Sequence, residues 1–118
     1  MWITVVCESN INQGDVLSYN QNKNLWDLAS TLVSPLGVAK NDAYLKQETT
    51  DVYIVEMQMQ GQVLAKASRD IPQQGGDMNV ENGAVYVDNN ANHCGIICPN
   101  FLDSTERLTG NLVTVIVR

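Results

Sequence analysis

The chain has 118 residues, of which 44% are hydrophobic and 17% charged, and its 13 acidic and 7 basic side chains give a net charge of −6. This length and apolar content predict a single β domain spanning residues 1–118, able to bury a core without disulfides or metal. The negative charge argues against nucleic acid and anionic membranes as partners, because most of the surface would repel phosphate groups. No stretch reaches the roughly 18 apolar residues of a membrane span, and the N-terminal segment lacks the features of a signal peptide.

Strand signals dominate the chain from its start. The segments are short, rich in β-branched and aromatic residues, and bounded by Gly, Asn, Asp or Pro. Their close spacing predicts an all-β fold, either a small barrel or a sandwich. The eight predicted strands cover residues 2–7, 15–19, 35–40, 52–58, 62–68, 84–88, 94–98 and 112–118.

Residues 24–33, "NLWDLASTLV", are ambiguous. Leu25, Leu28, Ala29 and Leu32 have helical spacing, with Asn24 as a possible N-cap. The same letters also describe a strand, "LWDLA", followed by a loop. We favour the strand because the neighbouring elements are strands.

Two stretches of the chain echo each other, "INQGDVLSYN" at 11–20 and "IPQQGGDMNV" at 71–80. The similarity continues as far as Gly-Val at 37–38 and Gly-Ile at 95–96, which indicates two related β-meanders within residues 11–43 and 71–100. Glycine admits backbone angles closed to other residues, and aspartate can hydrogen-bond its own turn. We therefore assign turn roles, not ligand-binding roles, to Gly14, Asp15, Gly37, Gly76 and Asp77.

The clearest single turn is Asn82-Gly83, which lies between "MNVE" and "AVYV". This dipeptide supplies the positive φ angles that a type I′ hairpin requires at both central positions. The sequence therefore predicts a hairpin here.

Residues suited to catalysis or metal binding are few. His93 is the only histidine and adjoins Cys94, but neighbouring residues of a strand point to opposite faces, which separates a nucleophile from its base. Cys94 and Cys98 lie roughly 13 Å apart in an extended strand, too far for a disulfide, and the odd cysteine number indicates reduced thiols. We predict no catalytic residues, no metal site and no cofactor.

Two weaker ligand hypotheses remain. Asp88 with Asn89, Asn90 and Asn92 offers oxygen atoms for calcium without the spaced carboxylates of an EF-hand. Zinc would require about four ligands at recognisable spacing, and Cys7 lies far from the other two cysteines. We favour a purely structural interpretation of both: a polar loop at residues 88–92, and cysteines that act as small buried side chains.

The candidate interface residues are aromatic or lie at the ends of the chain. Trp2 and Trp26 are either core anchors or exposed interface contacts, and the sequence does not decide between them. The segment "LVTVIVR", with Val113, Val115 and Val117, is apolar and nearly uncharged, so an exposed edge there would recruit another strand. We expect it to pair either with residues 2–7, closing a barrel, or with another subunit.

The order "GDVLSYN", "LWDLA", "SPLGVAKNDA" and "GQVLAKAS" resembles a small β-module of tailed-bacteriophage virion proteins, found in capsid decoration (cement) proteins and head fibres. The resemblance covers residues from Gly14 to about Pro99. It implies a non-enzymatic protein of the virion, synthesised in the host cytoplasm and bound to the capsid surface, to the major capsid protein or another virion protein, as a homo-oligomer, with a trimer favoured.

Two other functions stay open at this stage. A carbohydrate- or ligand-binding β-module would require Trp26 or Tyr86 to be exposed in a groove. A small thiol- or metal-dependent enzyme would require His93 and Cys94 to act together.

Overall fold

A computed structural model describes residues 2–31, 35–89, 94–99 and 110–118. All regular elements among these residues are β-strands, so the all-β prediction is confirmed. The strands are β1 (Trp2–Cys7), β2 (Val16–Asn20), β3 (Leu25–Leu28), β4 (Leu36–Ala39), β5 (Tyr44–Leu45), β6 (Tyr53–Gln58), β7 (Gly61–Lys66), β8 (Gly76–Glu81), β9 (Ala84–Val87), β10 (Gly95–Ile97) and β11 (Leu112–Val117).

Each of the eight predicted strands corresponds to an observed one, with ends shifted by a residue or two. The ambiguous segment 24–33 contains the strand Leu25–Leu28, as favoured, and Asn24 has a φ of 54° in the preceding turn. The short strand Tyr44–Leu45 was not predicted, and β8 was expected only as the first arm of the hairpin.

The first sheet closes into a barrel. Its strand order is β1-β3-β2-β4-β6, and an additional antiparallel pairing of β1 with β6 joins the two ends. β5 extends β6 at the rim, where Tyr44 is paired with Ile54. The contact between β1 and β3 is a single parallel pair, Cys7 with Trp26.

The second sheet has five strands in the order β7-β11-β10-β8-β9, all antiparallel. Its end strands approach each other through one parallel bridge, Ala67 with Val85. The strand order therefore follows that of the first sheet, with β7, β9, β8, β10 and β11 in the places of β1, β3, β2, β4 and β6. The single parallel contact also recurs. In the first sheet it is made by Cys7, the last residue of β1, and in the second by Ala67, the residue after β7.

The two sheets share part of their core. One apolar cluster lies inside the first barrel and includes Leu17, Val55 and Met57. The other lies in the second sheet but also takes in Leu36 and Val38 from β4. All four residues of β4 are buried, because one face of this strand lines the first barrel and the other packs on the second sheet.

The predicted hairpin is confirmed and also joins the two sheets. Asn82 and Gly83 have φ angles of 48° and 77°, as a type I′ turn requires between β8 and β9. The Gly83 N–H donates to the carbonyl of Ala29 at 2.7 Å, and the Gly83 carbonyl accepts from the N–H of Val16 at 2.8 Å. The tip of the second sheet is thus hydrogen-bonded to the first.

An ion pair between a buried aspartate and a half-buried lysine makes a second connection. Asp15 accepts a hydrogen bond from the backbone N–H of Asn12 at 2.7 Å, which confirms its turn role. Its other carboxylate oxygen accepts from the Lys66 ammonium of β7 at 3.0 Å. One aspartate therefore closes the turn before β2 and anchors β7 beside it.

Two of the glycine assignments require correction. Gly37 is not in a turn but within β4, where the absence of a Cβ leaves room for the side chain of Met57. In "QQGGD", the left-handed turn residue is Gly75, with a φ of 69°, while Gly76 and Asp77 begin β8. Gly14 has a φ of 90° and keeps its predicted turn role.

Candidate interaction surface

Strand β11 has both edges paired within the chain. It lies between β7, along its full length from Leu112 to Val117, and β10. The expectation that it pairs with residues 2–7 or with another subunit is therefore wrong. Residues 2–7 pair instead with β6.

The side chains predicted to form the interface on β11 are also on the inner face. Val113, Val115 and Val117 are between 0% and 3% exposed and belong to the core cluster of the second sheet. Because side chains alternate along a strand, Leu112 and Ile116 point outward. The three valines predicted as interface residues are therefore core residues of the second sheet, and the outward side chains of β11 are the alternate ones.

The outer side of the second sheet carries what we term the aliphatic face, which consists of Leu64, Ile96, Leu112 and Ile116. Ile116 lies directly opposite Ile96 on β10, and Leu64 lies opposite Thr114 on β11. Three of the four aliphatic side chains are 36–42% exposed. Lys66 lies opposite Leu112 on β7, and its ammonium forms an ion pair with Asp15. Thr114 and Gln62 lie on the same side of β11 and β7, and Asp77 lies opposite Ile96 on β8, so the aliphatic side chains of the three strands are interspersed with polar ones.

The first sheet carries a second apolar area, here called the aromatic patch, which consists of Trp2, Val6, Tyr44 and Ile54. Val6 and Tyr44 flank Ile54 as its partners on β1 and β5, so all three share the outer side. Trp2 is 53% exposed on the same side of β1, with the Lys40 ammonium 4.8 Å from its ring centroid. Thr4 and its partner Glu56 lie between Trp2 and the pair of Val6 with Ile54. The alternative for Trp2 is thereby decided: it is a surface residue and not a core anchor.

The other aromatic residues considered from sequence have partners within the chain. Trp26 is half-buried and contacts Tyr19 edge to face, with ring centroids 5.8 Å apart. The Arg69 guanidinium lies 3.9 Å from the ring centroid of Tyr86. A shallow groove of about 230 Å³ between the sheets is lined by neither residue, so this groove does not provide the site that the ligand-binding alternative requires. Its lining residues are Gln13, Ala39, Lys40, Gln62, Val63 and Leu64.

The structure describes some of the residues considered for catalysis or metal binding. Three residues of these hypotheses, Asn90, Asn92 and His93, lie outside the described residues. The structure therefore tests neither the pairing of His93 with Cys94 nor the calcium site. Within the described part of the chain, no three His, Cys, Asp or Glu side chains come together as a metal would require. Cys7, Cys94 and Cys98 form no disulfide. No helix in these ranges is long and apolar enough to cross a membrane.

The pKa of the Cys7 thiol is raised by its surroundings. Its thiol is buried at the end of β1, and burial, with a smaller contribution from the charge of Glu8, raises its pKa from 9.0 to about 11. The fold therefore favours the neutral thiol, as expected for a small apolar side chain inside the barrel. This stabilisation is complete below about pH 9, where the unfolded thiol is also neutral, and is lost as the pH rises through about 11.

We expect the wild-type protein to lose more free energy of unfolding between pH 8.5 and 11 than a Cys7→Ala variant. Urea unfolding at a series of pH values measures this, and the variant's own packing loss shifts its curve by a constant that does not affect the comparison. Parallel curves for the two proteins would show that Cys7 does not contribute to alkaline sensitivity.

Together, the strands and surfaces define an all-β protein of barrel type with two exposed apolar areas and no assembled catalytic group among the described residues. Neither a protein-family model nor a curated protein matches the sequence. Among solved structures, the fold is similar to one described as the head fiber gp8.5 N base in bacteriophage phi29. The TM-score is 0.58 at 17% sequence identity, and the alignment covers 100% of this chain and 95% of that chain. The similarity establishes a shared fold over the whole length.

Proposed function

We propose that the chain is a non-enzymatic structural protein of a bacteriophage virion, which decorates the capsid surface as a homo-oligomer, with a trimer favoured. It would act by burying apolar outer surfaces between subunits and against the major capsid protein or another virion protein. The acidic remainder of the surface would keep the free protein soluble before assembly.

The observation that carries this proposal is the whole-length likeness to a phage head-fibre base, in a chain that leaves apolar side chains exposed on both sheets. Soluble monomers rarely expose large contiguous apolar areas, and those that exist usually mark interaction sites. A structural role accounts for such surfaces without a catalytic centre.

We also propose that the related stretches 11–43 and 71–100 belong to two copies of one five-strand module. The strand order of the two sheets supports this, as does the recurrence of the parallel contact at Cys7-Trp26 and Ala67-Val85. Equivalent positions carry small or aliphatic core residues, such as Leu17 and Met78 in the second strand of each module.

The virion role is tested by purifying particles of the phage that carries this coding sequence and measuring their protein composition. The chain should be present in a copy number fixed by the capsid lattice, and antibodies to it should label intact heads in electron micrographs. Its absence from gradient-purified particles, with abundant protein in the infected cell, would contradict the proposal.

A further inference from the structure

We infer that Asn82-Gly83 is a site of spontaneous deamidation, that the closed junction of the two sheets protects it, and that the reaction, once it has occurred, keeps the junction open. The dipeptide is the only Asn-Gly in the sequence. It forms the turn between β8 and β9, where the second sheet is hydrogen-bonded to the first. This chemistry requires no partner and does not depend on the proposed virion role.

Deamidation needs only the chain and water. The backbone nitrogen of Gly83 attacks the side-chain carbonyl carbon of Asn82 and loses its proton to solvent, while the side-chain nitrogen takes up a proton and leaves as ammonia. Water then opens the resulting cyclic imide at either carbonyl. The products are an ordinary aspartate and an aspartate joined to Gly83 through its side chain. Glycine favours the first step because no Cβ hinders the approach of its nitrogen, and asparagine is a thermolabile residue.

In the folded protein the attacking nitrogen is held by the first sheet. The Gly83 N–H donates to the Ala29 carbonyl at 2.7 Å, and Gly83 is buried although Asn82 is exposed. An added Cβ on Gly83 would lie 2.5 Å from Leu28, so the Leu28 side chain covers this residue. While these contacts hold, the nitrogen cannot release its proton to solvent. Reaction therefore requires the turn to leave the first sheet, and its rate follows the population of that open state.

The side-chain-linked product does not fit the closed junction, because it adds one methylene to the backbone between positions 82 and 83. The closed turn places the Gly83 N–H on Ala29 and the Gly83 carbonyl on Val16, at 2.7 and 2.8 Å. A longer backbone displaces one of these groups when the other is in place. The ordinary aspartate product keeps the original backbone, and Asp-Gly suits a type I′ turn as Asn-Gly does. Only the side-chain-linked form therefore holds the junction open.

The first experiment measures the protection. The protein is incubated at about pH 8, folded in buffer or unfolded in concentrated urea, and peptide mapping by mass spectrometry follows the conversion of Asn82. We expect conversion to be at least about 30-fold slower in the folded protein. Equal rates would overturn the protection, and an unfolded chain that keeps its asparagine would overturn the site itself.

Two truncations locate the opening. Leu28→Ala uncovers Gly83 and should speed conversion in buffer about tenfold, with Leu28→Val, a smaller truncation, replacing it if the fold is lost. Val5→Ala is the matched control, because Val5 also packs against the core of the first barrel but is paired with Val55 on β6. The control should stay within about twofold of the wild-type rate. If it speeds conversion as much as Leu28→Ala, the reaction proceeds through unfolding of the whole domain and the junction does not control it.

Hydrogen exchange tests the effect of the products on the junction. The Asn82→Asp variant represents the ordinary aspartate product, and its Val16 amide should exchange as slowly as in the wild type. Protein deamidated in urea, refolded and isolated by its additional negative charge should contain a second population in which this amide exchanges at least about tenfold faster. Slow exchange throughout would show that the modified junction closes, and fast exchange in Asn82→Asp would show that charge opens it. Either result would overturn the role of the longer backbone.

Discussion

Replacing Val115 with aspartate is expected to destroy the fold, at a cost of at least about 4 kcal/mol in the free energy of unfolding. Val115 is fully buried in the core cluster of the second sheet, in the middle of a strand that is paired on both sides. A carboxylate there would have to be desolvated without a cation among the apolar side chains that surround it. Because domains of this size are stable by only about 5–15 kcal/mol, much or all of the stability is at risk.

The matched control is the next residue, Ile116→Asp. Its side chain points to the opposite side of the same strand and is 36% exposed, so the charge remains in water and the cost should stay within about 1 kcal/mol. Urea unfolding of both variants at low protein concentration, monitored by tryptophan fluorescence, measures the difference. Similar losses for the two would mean that the assigned inner and outer faces of β11 are incorrect.

The second large effect is expected at the junction of the sheets. Gly83→Ala should lower the free energy of unfolding by about 3 kcal/mol, because alanine is strained at a φ of 77° and its Cβ would lie 2.5 Å from the side chain of Leu28. Relief by a backbone shift would weaken the hydrogen bonds of Gly83 to Val16 and Ala29.

Gly110→Ala separates strain from crowding. Gly110 has a similar φ of 89°, but no described atom lies within 4 Å of an added Cβ, so its cost should be only about 1 kcal/mol. The difference between the two denaturation midpoints reports the packing at the junction. If both substitutions cost the same, the β8–β9 turn does not pack tightly on the first sheet.

Local chemistry made part of this fold predictable. Asn82-Gly83 is decisive because few other dipeptides accept positive φ at both positions, and Asp15 was assigned from its ability to bond its own turn. The strand at Leu25–Leu28 was favoured over a helix by agreement with its neighbours. Each of these predictions depends on a few adjacent residues.

The candidate surface could not be assigned in this way, because it depends on which side of each strand faces the core. In "LVTVIV" both alternating sets are apolar or β-branched, so the pattern that normally distinguishes the inner face is missing. Gly37 was assigned to a turn because nothing in the local sequence reveals the methionine that packs over it. The exposure of Trp2 likewise depends on the pairing of β1 with the distant strand β6, in which Gln58 lies opposite Trp2.

The mass of the wild-type protein in solution tests the central claim most directly. Light scattering over a range of concentrations should give a discrete, closed assembly, with three times the 13.0 kDa chain mass favoured, unchanged by a chelator. A mass of 13.0 kDa at every concentration would contradict the claim that the exposed apolar surfaces of the two sheets join copies of this chain.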